Sequence, residues 1–192
     1  MNLVQIDRAI TGVWAIMLRK KNALSYFTID MTSFVWSFAV IILVMAFQTY
    51  MAPLETQIFN SGANKVELGE VMAGYQSFIL IVNWFLWPVI SFFICKLMGL
   101  RANYIRYVIV DNFSSMVTLT IIAAPSILFQ FGLSADIAKS FIFFSSFIML
   151  VYKWRVIKVA LATSGMYASI LLFIDIAATI IVSTVVKNFL VG

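Results

Sequence analysis

Two aspartates stand inside long apolar runs of this sequence. Asp111 lies in YVIVDNFSSMV, residues 107–117, and Asp175 lies in LLFIDIAATII, residues 171–181. An aspartate at the centre of a bilayer costs about 2.5–3.5 kcal/mol on insertion scales, and intramembrane carboxylates commonly mark proton or ion pathways. These two residues are therefore the first candidates for a functional site.

On a helical wheel, each aspartate shares its face with small or polar residues, and bulky residues lie mostly on other faces. The face of Asp175 carries Ser164, Ala168, Leu171, Ala178, Thr179 and Val182, while Ile170, Phe173, Ile180 and Ile181 point away. The face of Asp111 carries Tyr104, Tyr107, Ser114, Ser115, Thr118 and Pro125, with Phe113, Met116 and Thr120 opposite. Since small residues let membrane helices approach closely, both aspartates are predicted to face the bundle interior.

Two roles remain open for these aspartates. They could form a proton or cation relay, or they could be hydrogen-bonded structural residues. The sequence favours the structural role, because no Lys, Arg or His is predicted midway through a facing span. Asp175 is then expected to be protonated and bonded to Asn83, Thr179 or another hydroxyl, and Asp111 to reach Arg106 or interfacial water.

The composition excludes several kinds of site. The chain has no histidine and one cysteine, Cys95, so it cannot assemble a Cys/His zinc site, a histidine-ligated haem or an iron–sulfur cluster by itself. No phosphate-binding GxxxxGK[ST] loop and no nucleophile–base pair is present. We therefore predict no catalytic residue, no metal ligand and no cofactor.

The chain is predicted to be a single all-α membrane domain, residues 1–192. It is 63% hydrophobic and 11% charged, far from the balance of a soluble domain. A helix needs about 20 residues to cross the hydrocarbon core. Hydropathy gives five spans at about 34–52, 71–95, 107–131, 137–152 and 166–186, of which the fourth is short. Residues 53–70 are predicted to be a solvated outer loop, with Glu55, Lys65, Glu67 and Glu70.

Lys and Arg predict the orientation. Ten of them fall on one side of the five-span arrangement: Arg8, Arg19, Lys20, Lys21, Lys96, Arg101, Arg106, Lys153, Arg155 and Lys158. Only Lys65, Lys139 and Lys187 fall on the other. By the positive-inside rule, the N-terminus is cytoplasmic and the C-terminus lies outside. We interpret the net charge of +5 as contact with anionic lipid headgroups, not with nucleic acid.

An amphipathic helix is predicted before the first span, over residues 2–21. Apolar residues recur at three- and four-residue steps: Leu3, Ile6, Ile10, Val13, Trp14 and Met17. Trp14 with the basic residues Arg19, Lys20 and Lys21 would anchor this helix at the membrane surface. The alternative is a helix packed on the rest of the protein or on a partner subunit.

Two further patterns concern the spans. Trp84 and Trp87 lie deep in the second span beside Pro88, which predicts that they fill a helix interface around a kink. The similar stretches around Asp111 and Asp175 would fit a duplicated hairpin, with spans two and three matching four and five, although chance similarity between apolar helices also explains them.

The stretches IIAAPSILFQFGLS (121–134) and FIMLVYKWRVIKVALATSGMYASILLFI (147–174), with the five-span layout, resemble the Yip1-domain family of small membrane proteins. The stretch YFTIDMTSFVWSF (26–38) is similar to a segment of small, uncharacterised inner-membrane proteins of alphaproteobacterial type. The resemblance implies a fold and topology more than an activity, and this sequence lacks the long soluble N-terminal region of the eukaryotic members.

From these observations we predict a non-enzymatic accessory or organising subunit of a bacterial-type inner membrane, with a membrane-protein partner or a second copy of itself. The alternative is a small permease that moves a proton or a small solute along the faces of Asp111 and Asp175.

Overall fold

The computed structural model describes residues 3–61 and 70–191, of which residues 70–76, 187, 190 and 191 are described by their backbone alone. This part of the chain is helical and contains no strand. Its α-helices are α1 (Leu3–Met17), α2 (Met31–Ser37), α3 (Val40–Asn60), α4 (Glu70–Leu97), α5 (Tyr104–Gln130), α6 (Ala135–Ala160) and α7 (Gly165–Val191). Short 3-10 helices lie at Ala23–Tyr26 and Arg101–Asn103.

Five segments of the described chain are long and apolar enough to cross a membrane. They are Met31–Asn60, Ser77–Leu97, Arg101–Gln130, Ala135–Ala160 and Gly165–Val186. The predicted all-α bundle of five spans with a helix before the first one is confirmed. The chain is therefore an integral, multi-pass membrane protein.

The third span, α5, is the central helix of the bundle. It packs against α6 on one side and against α1, α2 and α3 on the other. Tyr107 and Pro125 are buried, as predicted for the face of Asp111. Phe113, predicted to lie opposite that face, is also buried, with only 3% of its surface exposed. Both sides of α5 are thus buried, because residues of α1, α2 and α3 cover the side that carries Phe113.

The other wheel prediction is confirmed for most of α7, although Thr179, predicted on the inward face, is exposed. Ala168 and Leu171 have no exposed surface, and Asp175 is buried with them. Phe173 and Ile181, on the opposite side of the helix, are exposed. This helix packs on α4 and α6, so its small-residue face is the one turned inward.

The first and fourth spans are longer than hydropathy predicted. Helix α3 continues through Pro53 to Asn60, so Glu55 lies in a helix and not in a loop. Proline is tolerated inside membrane helices, and the helix continues here because Met51 and Leu54 are buried against Ala123 of α5. Of the predicted outer loop, Lys65 and Glu67 lie outside the described residues, as does the side chain of Glu70. The side chain of Lys187, near the end of α7, also lies outside them.

Helix α6 extends to Ala160 and so contains Lys153, which the sequence analysis had assigned to a cytoplasmic segment. The start of α5 contacts the end of α6 through two hydrogen bonds. The Asn103 side-chain amide donates to the Leu161 carbonyl at 2.9 Å, and Arg106 Nε donates to the Ala160 carbonyl at 2.6 Å. We call this end of the bundle, where α4 and α6 end and α5 and α7 begin, the basic end.

The N-terminal helix packs on the rest of the protein at the basic end. Tyr152 Oη donates to the Val13 carbonyl at 3.2 Å, and Arg155 Nε donates to the Ile16 carbonyl at 2.8 Å. Val13 and Ile16 are buried, whereas Trp14 remains partly exposed. Of the two alternatives for this helix, packing within the chain is thus observed. The helix ends at Met17, four residues before its predicted end.

The segment between α1 and α3 is fixed by polar contacts. The backbone N–H of Ser33 donates to Asp30 Oδ1 at 2.6 Å, which caps α2 and lowers the pKa of the Asp30 carboxyl. Asn112 of α5 donates to Ser37 Oγ at 2.8 Å, in a buried bond. These contacts place α2 against the central helix.

Candidate functional site: a charged cluster between α5, α6 and α7

Asp175 forms an ion pair inside the bundle. Its Oδ2 lies 2.5 Å from Nζ of Lys153, and the Asp175 side chain is only 10% exposed. The expectation that Asp175 would bond to Asn83 or Thr179, with no basic partner, was therefore wrong. The reason is the length of α6, which carries Lys153 below the basic end and turns it toward α7.

Asp111 is the third charged group of this cluster. Both Lys153 and Asp175 lie close enough to Asp111 to act on its charge, Lys153 attractively and Asp175 repulsively. Among the described residues, Asp111 has no side-chain ion-pair partner within 4.0 Å. Arg106, its expected partner, donates instead to the Ala160 carbonyl. We call Asp111, Lys153 and Asp175 the charged cluster. When all three are ionised, it carries one excess negative charge.

Aromatic side chains of α4 and α5 lie next to Lys153. Trp87 Nε1 donates to Tyr107 Oη at 2.8 Å, and both side chains are buried. Lys153 Nζ lies 5.9 Å from the centroid of the Trp87 ring, a cation–π distance. Tyr104 Oη donates to the Pro88 carbonyl at 2.5 Å, which links α5 to α4 at this proline. The prediction that Trp87 fills a helix interface beside Pro88 is confirmed.

The charged cluster lines a polar cavity of about 230 Å³. This volume lies below the range of about 300–1,000 Å³ that is typical of pockets for drug-sized ligands. The cavity suits an ion, a few water molecules or a very small solute. The residues that line it besides the cluster include Leu80, Asn83, Trp84, Trp87, Pro88, Asn112, Ser114, Ser115, Thr118, Met149 and Thr179.

All seven predicted polar residues of the intramembrane site therefore meet at one cavity, although they come from three helices. They are Asn83 of α4, Asp111, Ser114, Ser115 and Thr118 of α5, and Asp175 and Thr179 of α7. Not all of them are free to bind a ligand, because Ser114 Oγ donates to the backbone carbonyl of Asp111 at 2.6 Å. The other hydroxyls, of Ser115, Thr118 and Thr179, and the Asn83 amide also belong to lining residues of the cavity.

Trp84 adds an unused donor to the cavity. Its Nε1 is buried and has no hydrogen-bond partner among the described residues. Buried N–H groups are nearly always paired, and one left unpaired costs about 1–3 kcal/mol. A water molecule or a ligand oxygen in the cavity would satisfy it. The residues that line the cavity thus include two carboxylates and an indole N–H without a partner among the described residues.

The cluster lies within the membrane-spanning part of the helices. At about 1.5 Å per residue, Asp111 is about 10 Å along α5 from its start, and Asp175 is about 15 Å along α7 from its start. Charged groups at that depth are surrounded by protein and hydrocarbon, so their interactions are stronger than at a surface. A cation that enters the cavity would meet the carboxylate of Asp111, which has no ion-pair partner among the described residues.

The predicted surface anchor lies away from the charged cluster. Trp14 is 37% exposed on α1, and Arg19, Lys20 and Lys21 are exposed just after that helix. The structure therefore separates two groups of functional candidates, one inside the bundle and one at the basic end.

Sequence reasoning missed Lys153 as a site residue, and it placed Trp84 and Trp87 only as packing residues. The length of the fourth predicted span could have indicated that Lys153 lies inside the helix. Residues 137–152 would form a helix of about 24 Å, about 6 Å short of the hydrocarbon core. A span that must lengthen at its end includes Lys153 before it includes any later basic residue.

No family model matches the chain, and no curated protein and no solved structure matches it either.

Proposed function

We propose that this protein is a small permease-type membrane protein that takes up a proton or a small cation at the charged cluster. The observation that supports this proposal is the second carboxylate. One lysine already has Asp175 as its partner, and Asp111 stands beside that pair in a polar cavity with no ion-pair partner among the described residues. A purely structural ion pair requires neither the extra acid nor the cavity.

The chemistry of the cluster suggests how such a protein would work. Lys153 has a long, flexible side chain and lies near both carboxylates. While it pairs with Asp175, Asp111 is the acceptor for an incoming proton or cation. When that charge arrives, Asp111 no longer attracts the lysine, and the Lys153–Asp175 pair is strengthened. Uptake and release at Asp111 are thereby coupled to the contact between α6 and α7.

The test is ion flux in vesicles reconstituted with the purified protein. Asp111→Asn should abolish the decay of an imposed pH gradient, or of a sodium or potassium gradient, followed with an entrapped dye. Asp136→Asn is the matched control, because Asp136 is 95% exposed in its pair with Lys139, far along α6 from the charged cluster. Flux that persists in Asp111→Asn, with the control unchanged, would eliminate the relay.

The second candidate is the accessory or organising subunit of Yip1-like type, placed in a bacterial-type inner membrane with a cytoplasmic N-terminus. The observation that favours it is the outer face of α1. The helix buries Val13 and Ile16 against the bundle but leaves Leu3, Ile6 and Trp14 at least partly exposed. An apolar stripe at the membrane surface suits lipid or a partner helix.

Trp14→Glu tests that second candidate. The charge should detach the stripe from its partner without unfolding the bundle, because Trp14 is not part of the buried face. The measurement is the size of the assembly that is purified in mild detergent. The wild-type protein should be purified as part of a larger assembly, and the variant should be purified without partners. A wild-type chain that is always monomeric and without partners would speak against an organising role.

A further inference from the structure

A second cavity, of about 270 Å³, opens at the basic end between the end of α1 and the outer face of α6. We call it the arginine pocket. Its lining includes Met17 and Arg19 from the end of α1 and Phe147, Ile148, Val151 and Arg155 from α6. It is separate from the polar cavity, and no residue lines both.

Two guanidinium groups converge on the arginine pocket. Arg155 Nε donates to the Ile16 carbonyl, which fixes the plane of that guanidinium and leaves its two terminal nitrogens as donors. Arg19 follows α1 in a turn with a φ of 61°, a left-handed conformation that is uncommon for a residue with a side chain. This turn, closed by the bond from Arg19 N to the Ile16 carbonyl, places Arg19 beside the same carbonyl.

The two arginines lack a counter-ion. They lie close enough to repel each other, and within residues 3–61 and 77–186 neither forms an ion pair with a carboxylate. Arginine at paired positions suits the planar, bidentate binding of phosphate oxygens. A phosphodiester bound between them would remove the repulsion and satisfy both guanidinium groups.

Below the arginines the pocket is apolar. Phe147, Ile148 and Val151 are exposed on the outer face of α6, and Phe144 continues the same face one turn further. From Arg155 to Phe144 this stripe runs about 16 Å along the helix axis, the scale of an acyl chain. Charge at the membrane surface above an apolar stripe is the pattern that an anionic phospholipid requires.

We propose that the arginine pocket is a specific site for an anionic phospholipid, with the phosphodiester between Arg19 and Arg155 and an acyl chain along Phe147 and Val151. This inference is independent of the proposed uptake at the charged cluster. It also differs from general attraction of the basic end to an anionic surface, because it assigns two arginines and one face of α6. Lipid in this site would bridge α1 to α6.

The test is binding of phosphatidylglycerol to the purified full-length protein in mild detergent, measured by native mass spectrometry during titration. Arg155→Gln and Arg19→Gln should each weaken the tightest bound lipid by about tenfold, since each removes charge-assisted hydrogen bonds to the phosphate. Arg155→Gln removes the hydrogen bond to Ile16 and could destabilise the fold. Arg19 is exposed, so Arg19→Gln should fold and keeps the test valid in that case. Phosphatidylcholine should bind weakly to all of them.

Lys21→Gln is the matched control, because it removes one positive charge at the same end of the protein but does not line the pocket. It should change the affinity less than twofold. An equal loss in Lys21→Gln and Arg19→Gln would overturn the proposal in favour of non-specific surface charge. Competition by glycerol phosphate as effective as that by the whole lipid would overturn it too, since it would show a free-phosphate site without a role for the apolar stripe.

Discussion

At the scale of single residues, the proposed uptake of a proton or cation depends on three charges and on their positions. A lone aspartate in a membrane helix is readily explained as a protonated, hydrogen-bonded residue. The Lys153–Asp175 pair changes that interpretation, since Asp175 has a basic partner, with its Oδ2 2.5 Å from Nζ of Lys153. Asp111 is then the carboxylate without an ion-pair partner among the described residues, and it lines the polar cavity.

The first prediction concerns the ion pair. Lys153→Met leaves two carboxylates inside the bundle without a counter-charge, and breaking a buried pair in this way costs about 3–5 kcal/mol. The double variant Lys153→Met/Asp175→Leu removes the unpaired partner and should recover most of that loss. The measurement is the free energy of unfolding in a detergent titration, analysed as a double-mutant cycle.

Lys139→Met is the control for that cycle. Lys139 forms an i,i+3 pair with the exposed Asp136 at 3.7 Å. Exposed pairs contribute about 0–1 kcal/mol, so this variant should be nearly neutral. If Lys153→Met and Asp175→Leu simply add their losses in the double variant, the two side chains are not coupled.

The sequence predicted which residues would share the site but not how their charges are balanced. The wheel placed Asp111 and Asp175 on inward faces because that argument needs only helical periodicity and the size of neighbouring residues. The sequence pattern did not predict the role of Lys153, because a basic residue next to Trp154 and Arg155 is typical of a cytoplasmic loop that follows a membrane span. Whether it lies in a loop or in a helix depends on where α6 ends, which is set by tertiary contacts of Asn103 and Arg106 with the next turn.

At the scale of elements, the docking of α1 depends on small residues. Amphipathicity predicted the helix, but the surface it buries is centred on Ala9, Gly12 and Val13, not on the whole apolar stripe. The periodic pattern does not tell which apolar residues meet protein and which meet lipid, since both environments accept them. The side of α1 that meets protein is the one where its backbone can approach Phe27 closely, and this approach requires Gly12 at the contact.

The second prediction tests that close approach. In an exposed helix, replacing glycine by alanine stabilises the helix by about 1 kcal/mol. At Gly12, however, the added Cβ would lie 2.5 Å from Cε2 of Phe27 and 3.0 Å from Cβ of Tyr26. Phe27 is buried, so its ring has little room to move, and overpacking of this kind costs about 1–3 kcal/mol. Gly12→Ala should therefore loosen α1.

Hydrogen exchange of residues 3–17, measured by mass spectrometry in detergent, checks this outcome. Exchange should be faster in Gly12→Ala, and Gly12→Ala/Phe27→Leu should restore part of the protection. Thr11→Ala is the control, because Thr11 is exposed on the same helix. Slower exchange in Gly12→Ala would mean that helix propensity outweighs the contact with Phe27.

At the scale of the whole molecule, the bundle separates two environments. The central helix α5 is covered by α6 on one side and by α1–α3 on the other, while α4 and α7 pack together. The charged cluster lies between α5, α6 and α7, below the basic end, and the arginine pocket lies at that end on the outer face of α6. The same helix, α6, thus contributes Lys153 to the interior and Arg155 to the surface.

The last prediction is the orientation of this bundle. With Lys153 placed inside the protein, nine Lys and Arg residues remain for the basic end against three for the other end. That asymmetry still predicts a cytoplasmic basic end by the positive-inside rule. In a Cys95→Ala background, Ala102→Cys at the basic end should react with a membrane-impermeant maleimide only after permeabilisation. Ser134→Cys, in the turn between α5 and α6, should react in intact cells.

Both positions are exposed and lie outside the α-helices, Ala102 in the 3-10 helix Arg101–Asn103 and Ser134 in the turn before α6, so labelling reports the side of the membrane and not local burial. Cys95 itself is fully buried, and its replacement removes the one native thiol without changing an exposed surface. The opposite labelling pattern would reverse the orientation and place the basic end outside. The arginine pocket would then face the outer leaflet, so the same two variants also decide which leaflet must supply its phospholipid.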